Sequence, residues 1–373
     1  MAIDDRSSAA RAARTRRTTR PRAALALLIV LAFAGAAGAG AGEAEESARS
    51  EDDIRVPPPS AGRGLSLPGG VWLAGDVTVS AEVPEGDPAK AELDDLSLLL
   101  RYEPVPRLAF FTEIRLEDSL ELVEGEELIE GPANVFVDRL YADWSLTPQL
   151  TVRAGKFFMP FGLWNVIHRA PLRWTVDEPA VVNEDVLPKH ATGLSLTYQT
   201  TWHGWSLDAT GYGPAQDELA LRATKESGLL FGGRAALGHS VGDAFVAVGL
   251  NAAEYRPDNA KRWTESYGLD VDATFRSHHL TAELIYTRLP GRPRGRDQHG
   301  LYLQDVVPIT DTLYGVVRFE YFQPPRGRTA TGQLIGLFWQ PIDHVILKAN
   351  YQFADRKLEN LVPGFLASVS FIF

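Results

Sequence analysis

Between Lys156 and His190 the chain sets Lys156, His168, Arg169, Arg173, Lys189 and His190 beside Asp177, Glu178, Glu184 and Asp185. Charges of both signs packed so closely create a transverse field that orients polar solutes and biases which ions pass, without making or breaking a bond. Covalent chemistry has no comparable signature. The chain has no cysteine, so neither a thiolate nucleophile nor a thiolate metal site is available. His278, His279 and His299 stand outside any HExxH pattern, GLSLT at 193–197 is not a nucleophile elbow, and no GxxxxGK[ST] loop occurs. A Ser-His-Asp site assembled across strands is left open. The expectation is a transport or binding surface with no catalytic residues, no metal and no cofactor.

Such side chains act together only if a scaffold holds them around one space. From about Val71 to Phe373 the chain is a succession of strand-like runs with period-two alternation. In 345–353, Val345, Leu347, Ala349, Tyr351 and Phe353 share one face and Lys348, Asn350 and Gln352 the other, with Ile346 as the exception. One face suits lipid and the other water, which predicts an all-β, transmembrane antiparallel barrel. Sixteen runs are counted, centred near residues 76, 97, 112, 141, 152, 196, 208, 233, 248, 270, 283, 302, 317, 336, 349 and 368. Fourteen or eighteen stay open because 229–238 and 301–307 are ambiguous. Short turns alternate with long links, the pattern of a barrel with turns on one rim and loops on the other. A cylinder of this size leaves an aqueous lumen.

Parity then sorts the charges. Arg101, Arg115, Arg139, Arg153, Arg234, Arg276, Arg318 and Lys348 are directed inward, with Asp76, Asp95, Glu113, Asp143, Asp208, Asp270, Asp272, Glu283 and Glu320 among the inward acids. Arg139, Arg153, Lys156, His168, Arg169, Arg173, Asp177 and Glu178 are the candidates for a constriction. The third long link, taken as 156–191, is expected to fold inward. Pro160 and Gly162 break the strand ladder and redirect the chain, and Phe158, Phe161 and Trp164 would otherwise be exposed together. Trp72, Tyr102, Trp144, Trp202, Trp205, Tyr286, Trp339 and Tyr351 are candidates for interfacial girdles, Trp339 being the weakest because its parity points inward.

The ends of the chain fit export. Seven arginines between Arg6 and Arg22 precede the apolar run AALALLIVLAFAGAAGAGAG, with Ala37-Gly38-Ala39 and Ala39-Gly40-Ala41 as cleavage sites, so 1–41 reads as a signal peptide. A retained anchor helix is the alternative. Residues 42–70 are acidic and rich in Pro and Gly, a flexible periplasmic leader. The formal charge of −11 is concentrated after the arginine-rich start, and an acidic mature chain argues against nucleic acid as a partner.

Two segments carry a resemblance. The terminal SVSFIF, ending at Phe373, resembles the closing strand of Gram-negative outer-membrane proteins, which implies recognition of that aromatic by the barrel-assembly machinery. RAGKFFMPFGLWN at 153–165 resembles the strand-to-loop segment of the phosphate-selective porin O/P family through Gly155, Lys156, Phe157, Pro160, Phe161 and Gly162. The resemblance implies a passive outer-membrane porin for small hydrophilic solutes or inorganic ions, phosphate included, with outer-membrane lipid around it and homotrimers as the assembly. The mixed charges of the lumen depart from the basic arrays of that family. A plugged structural or adhesive barrel is the competing expectation.

Overall fold

An open sheet would leave two rows of unpaired backbone groups in lipid, so strands of this pattern have to close on themselves. A computed structural model describes residues 64–373 apart from 118–119, 127–128, 131–133, 168, 184–185, 215–226, 258–261, 290–296 and 359–360. The signal segment 1–41, most of the leader, and His168 lie outside the described residues.

Sixteen strands form the cylinder: β1 (Val71–Pro84), β2 (Lys90–Val105), β3 (Leu108–Glu117), β4 (Asn134–Ser145), β5 (Leu150–Phe158), β6 (His190–Trp202), β7 (Trp205–Pro214), β8 (Ser227–Val241), β9 (Ala244–Pro257), β10 (Thr264–Phe275), β11 (His278–Arg288), β12 (Gln298–Pro308), β13 (Leu313–Gln323), β14 (Ala330–Ile342), β15 (Val345–Ala354) and β16 (Gly364–Ile372). Each pairs antiparallel with the next. β16 then returns to β1 in the register Gly364↔Pro84 to Ile372↔Asp76, which leaves no edge. The two runs that sequence left ambiguous are β8 and β12, and both are strands.

Three short strands decorate the cylinder. Leu120–Val123 and Ile129–Glu130 form a small hairpin that carries the sheet into the second long link. Leu65–Leu67 pairs back onto Val71–Leu73. This corrects the expectation of a flexible leader as far as residue 70: Gly69 and Gly70 both take positive φ, 81° and 77°, so a tight turn becomes available and the last leader residues join the sheet.

The lipid and water faces separate along β15, where Lys348, Asn350 and Gln352 are buried inside while Tyr351 and Phe353 are exposed outside. Exposed rings collect near the short-turn rim at Tyr102, Phe110, Trp144, Trp202, Trp205, Phe275 and Trp339. Towards the opposite rim they recur at Phe231, Tyr267, Tyr286 and Phe353. These are the two aromatic belts expected at the membrane interfaces. Trp339 corrects the parity assigned to it: it faces out at 46% exposure, and Phe338 points in at 1%. Arg276 is also reassigned, from the lumen to the turn between Phe275 and His278, where it takes a positive φ of 53°.

Candidate functional site

The widest departure from a plain cylinder is the third long link. β5 runs on to Phe158 and β6 begins at His190, so the loop is 159–189, narrower than 156–191, and Lys156 belongs to the wall. The loop crosses the lumen and holds the far wall. One-turn 3-10 helices at Ala170–Leu172 and Ala180–Val182 fold it back on itself.

The redirection begins with Met159-Pro160-Phe161-Gly162. Gly162 takes φ of 68°, and a Cβ there would overlap Glu283 Oε2. Its N–H donates to Asn251 Oδ1 at 2.7 Å, and the Trp164 N–H donates to Glu283 Oε1 at 2.8 Å. Phe161, fully buried, lies over Gly268, where a Cβ would come within 2.8 Å of its ring. Glycine is therefore required on both sides of this contact, once for backbone conformation and once for space.

Further along, the same device repeats. Wall side chains accept from loop amides that have no ladder partner: Asn350 Oδ1 from Val176 N–H at 2.7 Å, and Glu320 Oε2 from Ala180 N–H at 2.7 Å. Arg318 answers the loop's acceptors, donating from Nη1 to Thr175 Oγ1 at 2.8 Å and to Asp177 O at 3.0 Å. Lys348 donates to Ala170 O. A buried amide left without an acceptor costs about 1–3 kcal/mol, so these polar wall residues are what make an irregular segment tolerable inside the barrel.

Apolar packing completes the seal. Met159, Phe161, Trp164, Val181, Val182, Val186 and Leu187 pack against Tyr212, Leu230, Tyr255, Ile285, Tyr302 and Phe322 of the wall and against Leu361 of the link between β15 and β16. Trp174 makes a second cluster with Tyr314, Phe338 and Ile346, its ring 4.8 Å from that of Phe338. Each fully buried large side chain contributes roughly 1.5–3 kcal/mol.

Among the described residues, five of the candidate charges, Arg139, Arg153, Arg169, Arg173 and Glu178, each face an opposite charge. Arg169 is buried against Asp76 of β1, with Nε donating to Oδ1 at 2.7 Å. Arg173 Nη2 lies 3.8 Å from Asp94 of β2. Glu178 pairs with Lys189 within the loop at 2.6 Å. Arg139 donates to Glu113 at 2.5 Å, and Arg153 makes a two-pronged pair with Asp143 at 2.7 and 2.8 Å. Lys156 is buried in the wall just past Gly155, whose φ of 134° breaks the strand's regular alternation. Phe158 packs at 5.3 Å from His190, which itself bonds Asp138 at 2.8 Å. Pro160 sits between Met159 and Phe161, and the turn that it starts is closed by Phe161 N–H donating to Met159 O at 2.8 Å. At the opposite rim Phe373 donates its N–H to Gly75 O at 3.1 Å, tying the chain end to β1.

Asn251, Asn350, Glu283 and Glu320 are the wall residues that receive the loop. The sequence signalled them only as polar residues on the inward parity, and nothing in it set their height in the barrel. Arg234, Asp270 and Asn251 link up behind Gly162: Arg234 clamps Asp270 at 3.0 and 2.6 Å, and Asp270 accepts from Asn251 Nδ2 at 2.6 Å.

Asp177 is the titratable group of the loop that stands apart. Burial pushes its carboxyl from 3.8 up to about 7, Arg173 pulls it partly back, and Glu82 raises it further. The folded chain therefore holds this proton more tightly than an unfolded one, and ionisation works against loop docking as pH rises between 3.8 and about 7. Above about 7 the carboxylate adds negative charge beside Glu82 and Asp94. The expected result is a reversal potential, in a salt gradient, that moves towards cations with a midpoint near 7. D177N should abolish the step, and a step that persists in D177N would assign it to another group.

No family model matches the chain. Over 106 residues it is 30% identical to an uncharacterized protein of Aquifex aeolicus strain VF5, a stretch that is 28% of this chain and 23% of that relative, so the match spans less than a quarter of the relative's length. Among solved structures, in-vitro folded OmpT of Vibrio cholerae superposes with TM-score 0.56 at 11% identity, covering 83% of this chain and 100% of that one. Salmonella typhi OmpF, in a complex with daunomycin, gives 0.55 at 12% identity over 81% and 97%. An anion-selective porin from Comamonas acidovorans gives 0.52 at 16% identity over 81% and 99%. At these identities the likeness is one of fold: a sixteen-stranded outer-membrane barrel of the porin type.

Proposed function

We propose that this outer-membrane barrel is a passive channel for small hydrophilic solutes and inorganic ions, narrowed by loop 159–189. The observation that carries the reading is a closed cylinder with a polar, charged interior and an irregular segment seated across it. Solutes would cross by diffusion, with the loop setting the size limit.

Selectivity by sign should be weak. Arg139, Arg153, Arg234 and Arg318 each face a carboxylate, so their fields largely cancel beyond a few ångströms. Preference for phosphate would need basic side chains without such partners, and the pairing weighs against it. Single-channel recording in a planar bilayer tests the proposal: stepwise ohmic openings with a reversal potential near zero are expected in a salt gradient. Arg153→Ala, which leaves Asp143 unpaired, should move the reversal potential towards cations. A second reading, a closed structural barrel, draws on the full burial of the Asp76, Glu113 and Asp138 side chains around the loop. Silence from demonstrably folded protein would favour it.

Assembly as a homotrimer is proposed by analogy with OmpT of Vibrio cholerae, which has a trimer form. Light scattering of the detergent-solubilised protein measures it directly. Recognition of Phe373 by the barrel-assembly machinery is proposed from the resemblance of the C-terminus, and removal of that residue should lower the amount of barrel reaching the membrane.

A further inference from the structure

On the lumenal wall of β3 to β5, guanidinium groups and aromatic rings follow one another in a stack. The Arg139 Cζ lies 4.5 Å from the Phe158 ring centre and 4.7 Å from that of Phe111. Phe111 stacks on Tyr141 with centres 5.1 Å apart and planes 20° from parallel. Arg153 closes the series with its Cζ 3.9 Å over the Tyr141 ring. Phe158 is buried under the loop, whereas the Arg153 side chain is 34% exposed, so the stack runs from the sealed middle of the barrel to open space on the short-turn side.

Its last member is held in a fixed pose. Asp143 takes Nε and Nη2 of Arg153, and Tyr141 covers one face of the guanidinium. Nη1 has no partner among the described residues. A planar cation pinned on one edge and one face is preorganised to offer the rest of its surface: the outer face to a second π-system, and the Nη1 edge to an anionic acceptor. Pairing with Asp143 cancels the long-range field and leaves these short-range features intact. The surface therefore discriminates by shape and ring character more than by charge alone.

We propose that this wall is a binding subsite for aromatic carboxylates within the channel proposed above. The solute's ring stacks on the open face of the Arg153 guanidinium, which brings its carboxylate over the Nη1 end of the cation as a close ion pair. The proposal rests on the channel reading for its physiological sense, but binding itself can be measured without conduction.

Titration calorimetry of benzoate into the folded full chain in detergent, with empty micelles subtracted, is the test. Cyclohexanecarboxylate, of equal charge and similar size but without a π face, should bind about tenfold more weakly, the worth of one aromatic stacking contact. Tyr141→Leu should weaken benzoate to a similar extent by freeing the guanidinium. Arg153→Lys, which keeps the charge and loses the plane, provides a second variant whose fold is checked by the heat-dependent gel shift of barrels. Equal binding of the two acids, undiminished benzoate binding in both variants, or no benzoate binding at all would overturn the subsite. Bilayer openings without benzoate binding would overturn the subsite and spare the channel, while binding in a barrel that never opens would do the reverse.

Discussion

A barrel lacking residues 163–186 is expected to carry several times the single-channel current of the intact chain. The deletion removes Trp164, Trp174, Val181 and Val182 from the lumen, together with the amides held by Glu320 and Asn350. What remains is a cylinder whose strand number suits a wide aqueous pore. The change has a cost in stability. Ile285, Tyr302 and Phe338, each 1% exposed in the intact chain, would meet water, at roughly 25 cal/mol for every Å² uncovered. Thermal unfolding should therefore move to lower temperature even as conductance rises. Unchanged conductance in a variant that still shows the gel shift of a folded barrel would remove the loop from its assigned role.

Gly162→Ala should approach the same phenotype with one methyl group. The left-handed backbone at this residue costs an L-side chain about 1 kcal/mol, and the added Cβ meets the Glu283 carboxylate that accepts from the next turn of the loop. Relief requires the loop to lift or Glu283 to swing away, and either movement breaks hydrogen bonds to Gly162 or Trp164. Together these losses amount to a few kcal/mol, enough to populate an undocked loop. The expected record is noisy, with excursions above the parent conductance, and limited proteolysis should cut within 163–186. A quiet record at parent conductance, with the loop resistant to protease, would show that the contact yields more easily than its geometry indicates.

The wall was legible in the sequence because lipid on one side and water on the other impose a period of two, which β10, β11 and, apart from Ile346, β15 keep. β14 does not. Its inner face carries the buried Leu334 and Phe338, the latter packed against Trp174, so the contrast between faces disappears and Trp339 was assigned to the wrong side. The inward turn of the loop could be read from Pro160, Gly162 and the rings around them. Its docking site could not, because parity places Asn251, Glu283, Glu320 and Asn350 inside the barrel without saying which of them lie level with a segment some ninety to one hundred and seventy positions away. Likewise the arginines were expected to set a field, but Arg139 and Arg153 are neutralised from the adjacent strand and Arg234 from the strand beyond it, in registers that sequence does not show, while Arg318 is neutralised by Glu320 on its own strand.

The order of events in assembly follows from where the loop finds its acceptors. Asn251, Glu283, Glu320 and Asn350 belong to β9, β11, β13 and β15, all later in the chain than the segment they receive. Asp76, which receives Arg169, belongs to β1 and reaches its place beside them only when β16 closes the cylinder. Contacts of such long sequence separation form late. The nascent barrel must therefore carry Phe161, Trp164 and Trp174 undocked until its final seam is sewn, and that interval is when the chain is most exposed to aggregation and in greatest need of an escort.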